Sequence, residues 1–163
     1  MKSGYLIAGG VVAAVALANP AGAQLLSHKD LSLATALTIA TTAAETCKGQ
    51  GYRVSVAVVG RTGEIIAHLR GDDASPHTIE NSQRKAFTAR TFRVSSAEFG
   101  QRVKENPASG ALWLTNITGS AGALPIKIGE DVIGAAGVSG APGGDKDEAC
   151  AKAGLDKVAD QLK

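Results

Sequence analysis

Two short apolar runs, each folded back at a glycine-bounded turn, constrain this chain more than any other feature. Val54-Ser55-Val56-Ala57-Val58-Val59 is followed by Gly60-Arg61-Thr62-Gly63 and then by Glu64 to Arg70. Leu124 to Ile128 is followed by Gly129-Glu130-Asp131 and then by Val132 to Ser139. Runs of this kind read as strands, and such short turns return the chain antiparallel. A parallel sheet would need crossovers of about a dozen residues or more. The pattern therefore predicts an antiparallel sheet flanked by helices, an α+β fold.

The helical segments are legible from periodicity and caps. Leu33, Leu37, Ala40, Ala44 and Cys47 recur at three- and four-residue steps, which predicts an amphipathic helix over about 30–49. Asp30 or Ser32 caps it, and Gly49 or Gly51 ends it. Ser75-Pro76 offers an N-cap with proline at the first helical position, opening a helix over 78–92. Ser95-x-x-Glu98 is a capping box for a shorter helix that stops before Asn106-Pro107. A loop of small residues follows over 107–123, within which Leu112 to Thr115 is a candidate fifth strand. Asp145-x-x-Glu148 reads as the cap of a last helix carrying Cys150, Ala153, Val158 and Leu162.

Composition narrows the function classes. Seventeen Lys and Arg against fifteen Asp and Glu leave a net charge of +2, too balanced for a nucleic-acid or anionic-membrane surface. One Trp, two Tyr and three Phe give no stacking platform for bases. A hydrophobic content of 44% is that of a folded domain, not a disordered chain.

Residues 1–23 follow separate rules. Lys2, the apolar run Leu6 to Ala18 and the A-x-A triplet Ala21-Gly22-Ala23 are the pattern of a secretory signal peptide. The run is shorter than the roughly 20 apolar residues a span requires, so no membrane anchor is expected after cleavage. The expectation is a single domain over 24–163 in the periplasm or outside the cell. In such a compartment Cys47 and Cys150, the only cysteines, are expected to form a bond. Two separate buried thiols are the alternative.

Other candidate motifs carry little chemistry. Gly134, Gly137, Gly140, Gly143 and Gly144 contain a formal G-x-x-G-x-x-G, but without the βαβ setting of a phosphate loop. Glycines within a strand instead mark close approach of backbone or ligand. Ser139 is not in a nucleophile elbow, and no acid–base constellation is evident, so no catalytic residue is assigned. Asp145, Asp147 and Glu148 read as cap and dipole residues of the last helix. Asn116-Ile117-Thr118 is a glycosylation triplet. His28 precedes the first helix, His68 points to the sheet face opposite Ala67 and Leu69, and His77 opens a helix. Arg84 and Lys85 read either as functional cations or as a solvated face.

Ordered blocks along the chain resemble the GlcG/HbpS-like haem-binding family, also called the haem-degrading domain family. They are Val54 to Val59, Gly63, Arg70-Gly71-Asp72-Asp73-Ala74 and Lys85-Ala86-Phe87-Thr88-Ala89 in the first half. Leu124-Pro125-Ile126, Ile133 to Ala141, and Asp147-Glu148 with Ala151 follow in the second. Pro76-His77-Thr78 with the cysteine pair resembles the exported branch. The resemblance implies a profilin-like three-layer α/β/α fold with a five-stranded antiparallel sheet, non-covalent haem b and a homo-oligomer. Gly60, Asp73 and Ser120-Ala121-Gly122-Ala123 depart from the family pattern, the last in a loop that borders the expected ligand.

Haem requires small residues around a flat ring, a cation for propionate and often an axial imidazole. His77 is the expected iron contact, with His28 and His68 as runners-up. Arg84 is expected at a propionate and Thr88 one turn on, while Leu124, Pro125, Gly137 and Ser139 wall the ring. The expected function is haem capture, buffering or sensing. Oxidative haem degradation is the enzymatic alternative, and a small-metabolite module serving an oxidoreductase or transporter is the third.

Overall fold

The structure, a computed structural model, describes residues 24–163; the expected leader lies outside the described residues. Helix α1 (Leu33–Gly49) leads into β1 (Ser55–Val59) and β2 (Ile65–Arg70). Helices α2 (His77–Phe92) and α3 (Ser96–Glu105) follow, then β3 (Ala123–Ile128), β4 (Asp131–Ser139) and α4 (Gly144–Lys157). All strand pairs are antiparallel, in the order β2-β1-β4-β3.

The sheet is buried on both faces, so its alternation separates two cores. One face presents Val56, Val58, Ala136 and Val138 to Ala36, Ile39, Ala40 and Ala43 of α1 and to Ala151 of α4. The other presents Ala57, Val59 and Ala135 to Ala86 and Ala89 of α2. This second core is nearly all alanine, which draws α2 close to the strands. At Gly137 the approach leaves no room for a side chain: a Cβ would collide with the Ser82 carbonyl and lie 2.7 Å from the Ala86 nitrogen. The expected three-layer α/β/α arrangement is therefore present.

Local signals mostly hold. Ser32 caps α1, its hydroxyl accepting the Thr35 N–H at 3.1 Å. Ser95 likewise accepts the Glu98 N–H at 3.1 Å, while Glu98 turns its carboxylate to Arg102. Three expectations fail. Among the described residues the sheet has four strands, not five, because Leu112–Thr115 does not join it. Ala111–Trp113 is a 3-10 turn between two left-handed residues, Gly110 and Asn116. Asp145 does not cap α4; the Gly143 carbonyl accepts the N–H groups of Lys146 and Asp147, and Asp145 sits inside the first turn. Helix α2 starts on the Ser75 carbonyl, which accepts the Thr78 N–H at 3.0 Å; the expected Ser75 side-chain cap does not form, and Pro76 precedes the first helical residue, His77.

Cys47 at the end of α1 and Cys150 in α4 are bonded, with Cα atoms 5.7 Å apart and both residues fully buried. The bond joins the chain ends within one helical layer. It spans 103 residues, a loop whose closure lowers unfolded-state entropy by about 4–5 kcal/mol. Cys47→Ser/Cys150→Ser is expected to lose stability on that scale. Urea unfolding of the double variant against the oxidised parent measures it.

Candidate ligand-binding site

Helix α2 carries most of the expected site residues. His77, Asn81, Arg84 and Thr88 recur at helical spacing and share one stripe. His77 is exposed at the first position. Arg84 donates from Nη2 to the Ile117 carbonyl at 2.8 Å and from Nη1 to Glu80 at 3.4 Å. Its Nε is buried without a partner. Thr88 donates to the Arg84 carbonyl at 2.8 Å and accepts the Thr118 N–H at 3.0 Å. Arg84 and Thr88 thus fasten the loop before β3 against α2, with Ile117 buried beneath it. Beyond that anchor the loop turns Leu112, Trp113 and Leu114 outward, Trp113 at 90% exposure.

Thr88, although on this stripe, is fully buried and holds the loop. Gly137, Ser139, Leu124 and Pro125 lie away from the stripe. Gly137 is filled in by α2, and Ser139 is buried beneath it, accepting Asn81 Nδ2 at 3.0 Å. The close approach marked by these residues is that of a helix, not of a flat ring. Leu124 and Pro125 line a separate open groove on the α4 side, with Asp145, Glu148, Lys152 and Asp156. The three histidines do not converge either. His68 lies under α2, its Nε2 3.1 Å from both the Ile79 carbonyl and the Ser82 hydroxyl, and burial lowers its affinity for a proton. His28 pairs with Asp30 at 3.2 Å, in a segment that Arg61 ties to the two hairpin turns through Asp30, the Lys29 carbonyl and Asp131.

The reading of Lys85 as part of a solvated face, and of Asp147 as a dipole residue, is corrected. Lys85 Nζ is buried and donates to Asp147 Oδ2 at 2.7 Å and to the Val138 carbonyl at 3.0 Å. Asp147 Oδ1 accepts the Ala141 N–H at 2.9 Å. Burial pushes the Asp147 carboxyl up from the ordinary value, against the pull of Lys85 and Ala141. The only sequence signal was that both residues lie in family blocks. Glu148, next to Asp147, is also pushed up by burial, and its Oε2 has no partner.

A four-stranded antiparallel sheet between two helical layers defines a three-layer α/β/α domain of profilin-like architecture. The family described as "Haem degrading protein HbpS-like" matches residues 31–156, and this chain belongs to it. Protein GlcG of Escherichia coli K12 is 32% identical over 95 residues, 58% of this chain and 70% of GlcG. The crystal structure of HbpS superposes with a TM-score of 0.79 at 36% identity, covering 83% of this chain and 94% of that one. The haem complex of PduOC shares the fold, with a TM-score of 0.70 at 20% identity over 78% of this chain and 94% of that one.

Breaking the buried pair leaves one charge uncompensated, so Lys85→Ala or Asp147→Ala is expected to cost about 3–5 kcal/mol. The double variant Lys85→Met/Asp147→Leu is expected to cost less than the sum, measured by urea unfolding. Glu148 gives a pH signature. Its folded carboxyl keeps its proton to higher pH than the unfolded one, so stability falls as pH rises from the ordinary glutamate value through the raised one. Glu148→Gln is expected to remove that part of the slope, making the variant relatively more stable at neutral pH and unchanged below the ordinary value.

Proposed function

We propose that this chain is an exported protein that binds haem b non-covalently, for capture, buffering or sensing, and acts as a homo-oligomer. One observation carries the haem reading. The loop pinned to α2 turns Leu112, Trp113 and Leu114 into solvent on the helix that bears His77 and Arg84. Exposed apolar side chains on an anchored loop mark a surface that receives something apolar. With an imidazole and a guanidinium on the same helix, these residues fit a flat apolar ring with an iron and two carboxylates. His77 would hold the iron, Arg84 would take a propionate, and Trp113 with its leucine neighbours would keep water from the ring. Bound haem would supply a redox-active iron to this surface. Membership of a haem-degrading family supports the ligand. The buried Cys47–Cys150 bond supports export, since such bonds persist in oxidising compartments.

A second observation favours a small-metabolite module. A groove of about 540 Å³ between α1 and the end of β2 is lined by Thr41, Glu45, Lys48, Tyr52, Arg53 and Arg70 among others, a size that suits a small polar molecule.

Hemin titration separates the readings. The parent is expected to give a Soret band and to quench its single Trp113. His77→Ala is expected to shift the band and weaken binding. Trp113→Ala is expected to weaken binding on the order of tenfold with the band unmoved. Unchanged spectra and affinities in both variants would overturn the site. Release of biliverdin or iron in excess over protein would make the chain an enzyme.

A further inference from the structure

The sheet has two open edges, β3 and β2, and they are finished differently. On the β3 side the Val138 N–H donates to the Gly122 carbonyl at 2.9 Å, which fixes the phase of the ladder. Leu124 and Ile126 turn their peptide groups toward β4, while Ala123 and Pro125 turn theirs outward. Pro125 has no N–H, so the open edge lacks a donor at its middle, and exposed Lys127 follows. Both devices close an edge to further pairing.

Strand β2 carries neither device. The Gly71 N–H donates to the Val54 carbonyl at 2.9 Å, so Ala67 and Leu69 bond toward β1 while His68 and Arg70 present theirs outward. The residues Ile65 to Arg70 contain no proline and no lysine. Apolar surface flanks the edge: Ile65 is 44% exposed, and Leu33 and Leu37 on α1 are 58% and 40% exposed. Those leucines share the α1 stripe of Thr41, Ala44 and Lys48, the residues that face β2 across the groove.

We propose that the β2 edge is the docking surface for a second copy of this chain, paired antiparallel about a two-fold axis at Ala67. The strand is self-complementary in that register. Glu64, just before the strand and bonded through Oε2 to the Thr62 N–H and hydroxyl, stands opposite the partner's Arg70 with Oε1 left to it, Ile65 stands opposite the partner's Leu69, and Ala67 opposite itself. Opposite charges and apolar pairs across a ladder each stabilise it. The next two-fold register sets His68 against the partner's His68 and leaves Arg70 facing an isoleucine, with no counter-charge. Arg70 gives Nε and Nη2 to the Ala74 carbonyl and keeps Nη1 for the partner. The two four-stranded sheets become one continuous sheet, and Leu33 and Leu37 of the two copies come together on one face of it. This inference rests on the homo-oligomer reading and is independent of haem.

Charge reversal tests the register. Light scattering at micromolar concentration is expected to give the parent at least about twice the mass of one chain. Glu64→Arg and Arg70→Glu should each lower that mass about twofold, and Glu64→Arg/Arg70→Glu should restore it, with far-UV circular dichroism unchanged throughout. A second measurement does not depend on charge. With Cys47 and Cys150 bonded, Ala67→Cys carries the only free thiol and should form a covalent dimer on a non-reducing gel, while Lys127→Cys should not. An assembly unmoved by either reversal, with no cross-link at position 67, overturns the surface while leaving the homo-oligomer standing. A parent of single-chain mass overturns both.

Discussion

A buried ammonium–carboxylate pair holds the two helical layers together around the end of the sheet. Lys85 leaves α2 on one face and Asp147 leaves the first turn of α4 on the other; they meet at 2.7 Å with both side chains almost wholly buried. Neither ion tolerates burial alone, since desolvation costs several kcal/mol for each. The fold therefore supplies further partners, the Val138 carbonyl for Lys85 and the Ala141 N–H for Asp147. The pair also dictates its neighbours. Gly122 passes so close that a Cβ would lie 2.8 Å from Lys85 Nζ and 2.7 Å from Asp147 Cβ, at a φ of +129°. Glycine alone meets both conditions without strain. The start of β3, the start of α4 and the position of α2 along the sheet are thereby set by one interaction.

Much of this architecture was legible in the sequence because the signals are local. Val54–Val59 is a β-branched run and Val132–Ser139 a run of small and apolar residues, each beside a glycine turn, and both are central strands. Ser32 and Ser95 cap the helices that they precede. The cysteine pairing followed from there being only two cysteines and an inferred oxidising compartment. Failures occurred where a long-range partner overrides a local preference. Asp147 looks like a first-turn acid, and nothing nearby in sequence indicates that Lys85, 62 positions earlier, meets it. Asp145 looks like a cap, but the Gly143 carbonyl takes that role. Leu112–Thr115 has the composition of a strand, yet left-handed Gly110 and Asn116 bound it and its first half closes into a 3-10 turn.

The site was harder to read than the fold, because a stripe of residues on a helix says which side chains share a face and not what covers them. His77 and Arg84 remain at the surface, whereas Thr88 on the same stripe is sealed by Thr118. Gly137 and Ser139 read as a ligand wall because strand glycines mark close approach. What approaches is α2 itself. Trp113 was missed for the opposite reason: an apolar triplet in a loop of small residues has no periodicity to announce it, and only its exposure in the fold sets it apart.

The alanine core explains why a ligand surface has to lie outside the layers. Between α2 and the sheet the contacts are Ala57, Ala86, Ala89 and Ala135, all fully buried, with Gly137 against the helix backbone. Interiors packed this way leave no void of ligand size. Opening one would mean moving α2, and α2 is fixed by Lys85 at one side of the sheet and by the Ser55–Thr78 hydroxyl contact of 2.8 Å over β1. A flat ring is therefore left with outer places: the exposed end of α2 beside the Trp113 loop, the grooves on the α1 and α4 side, or a junction between copies. Of these, the α2 surface offers an imidazole and a guanidinium on one helix. Packing inside is rigid, so the polar and apolar groups that stay free lie at the rim of the layers, and the ligand surface proposed on α2 and the pairing edge proposed on β2 both draw on them.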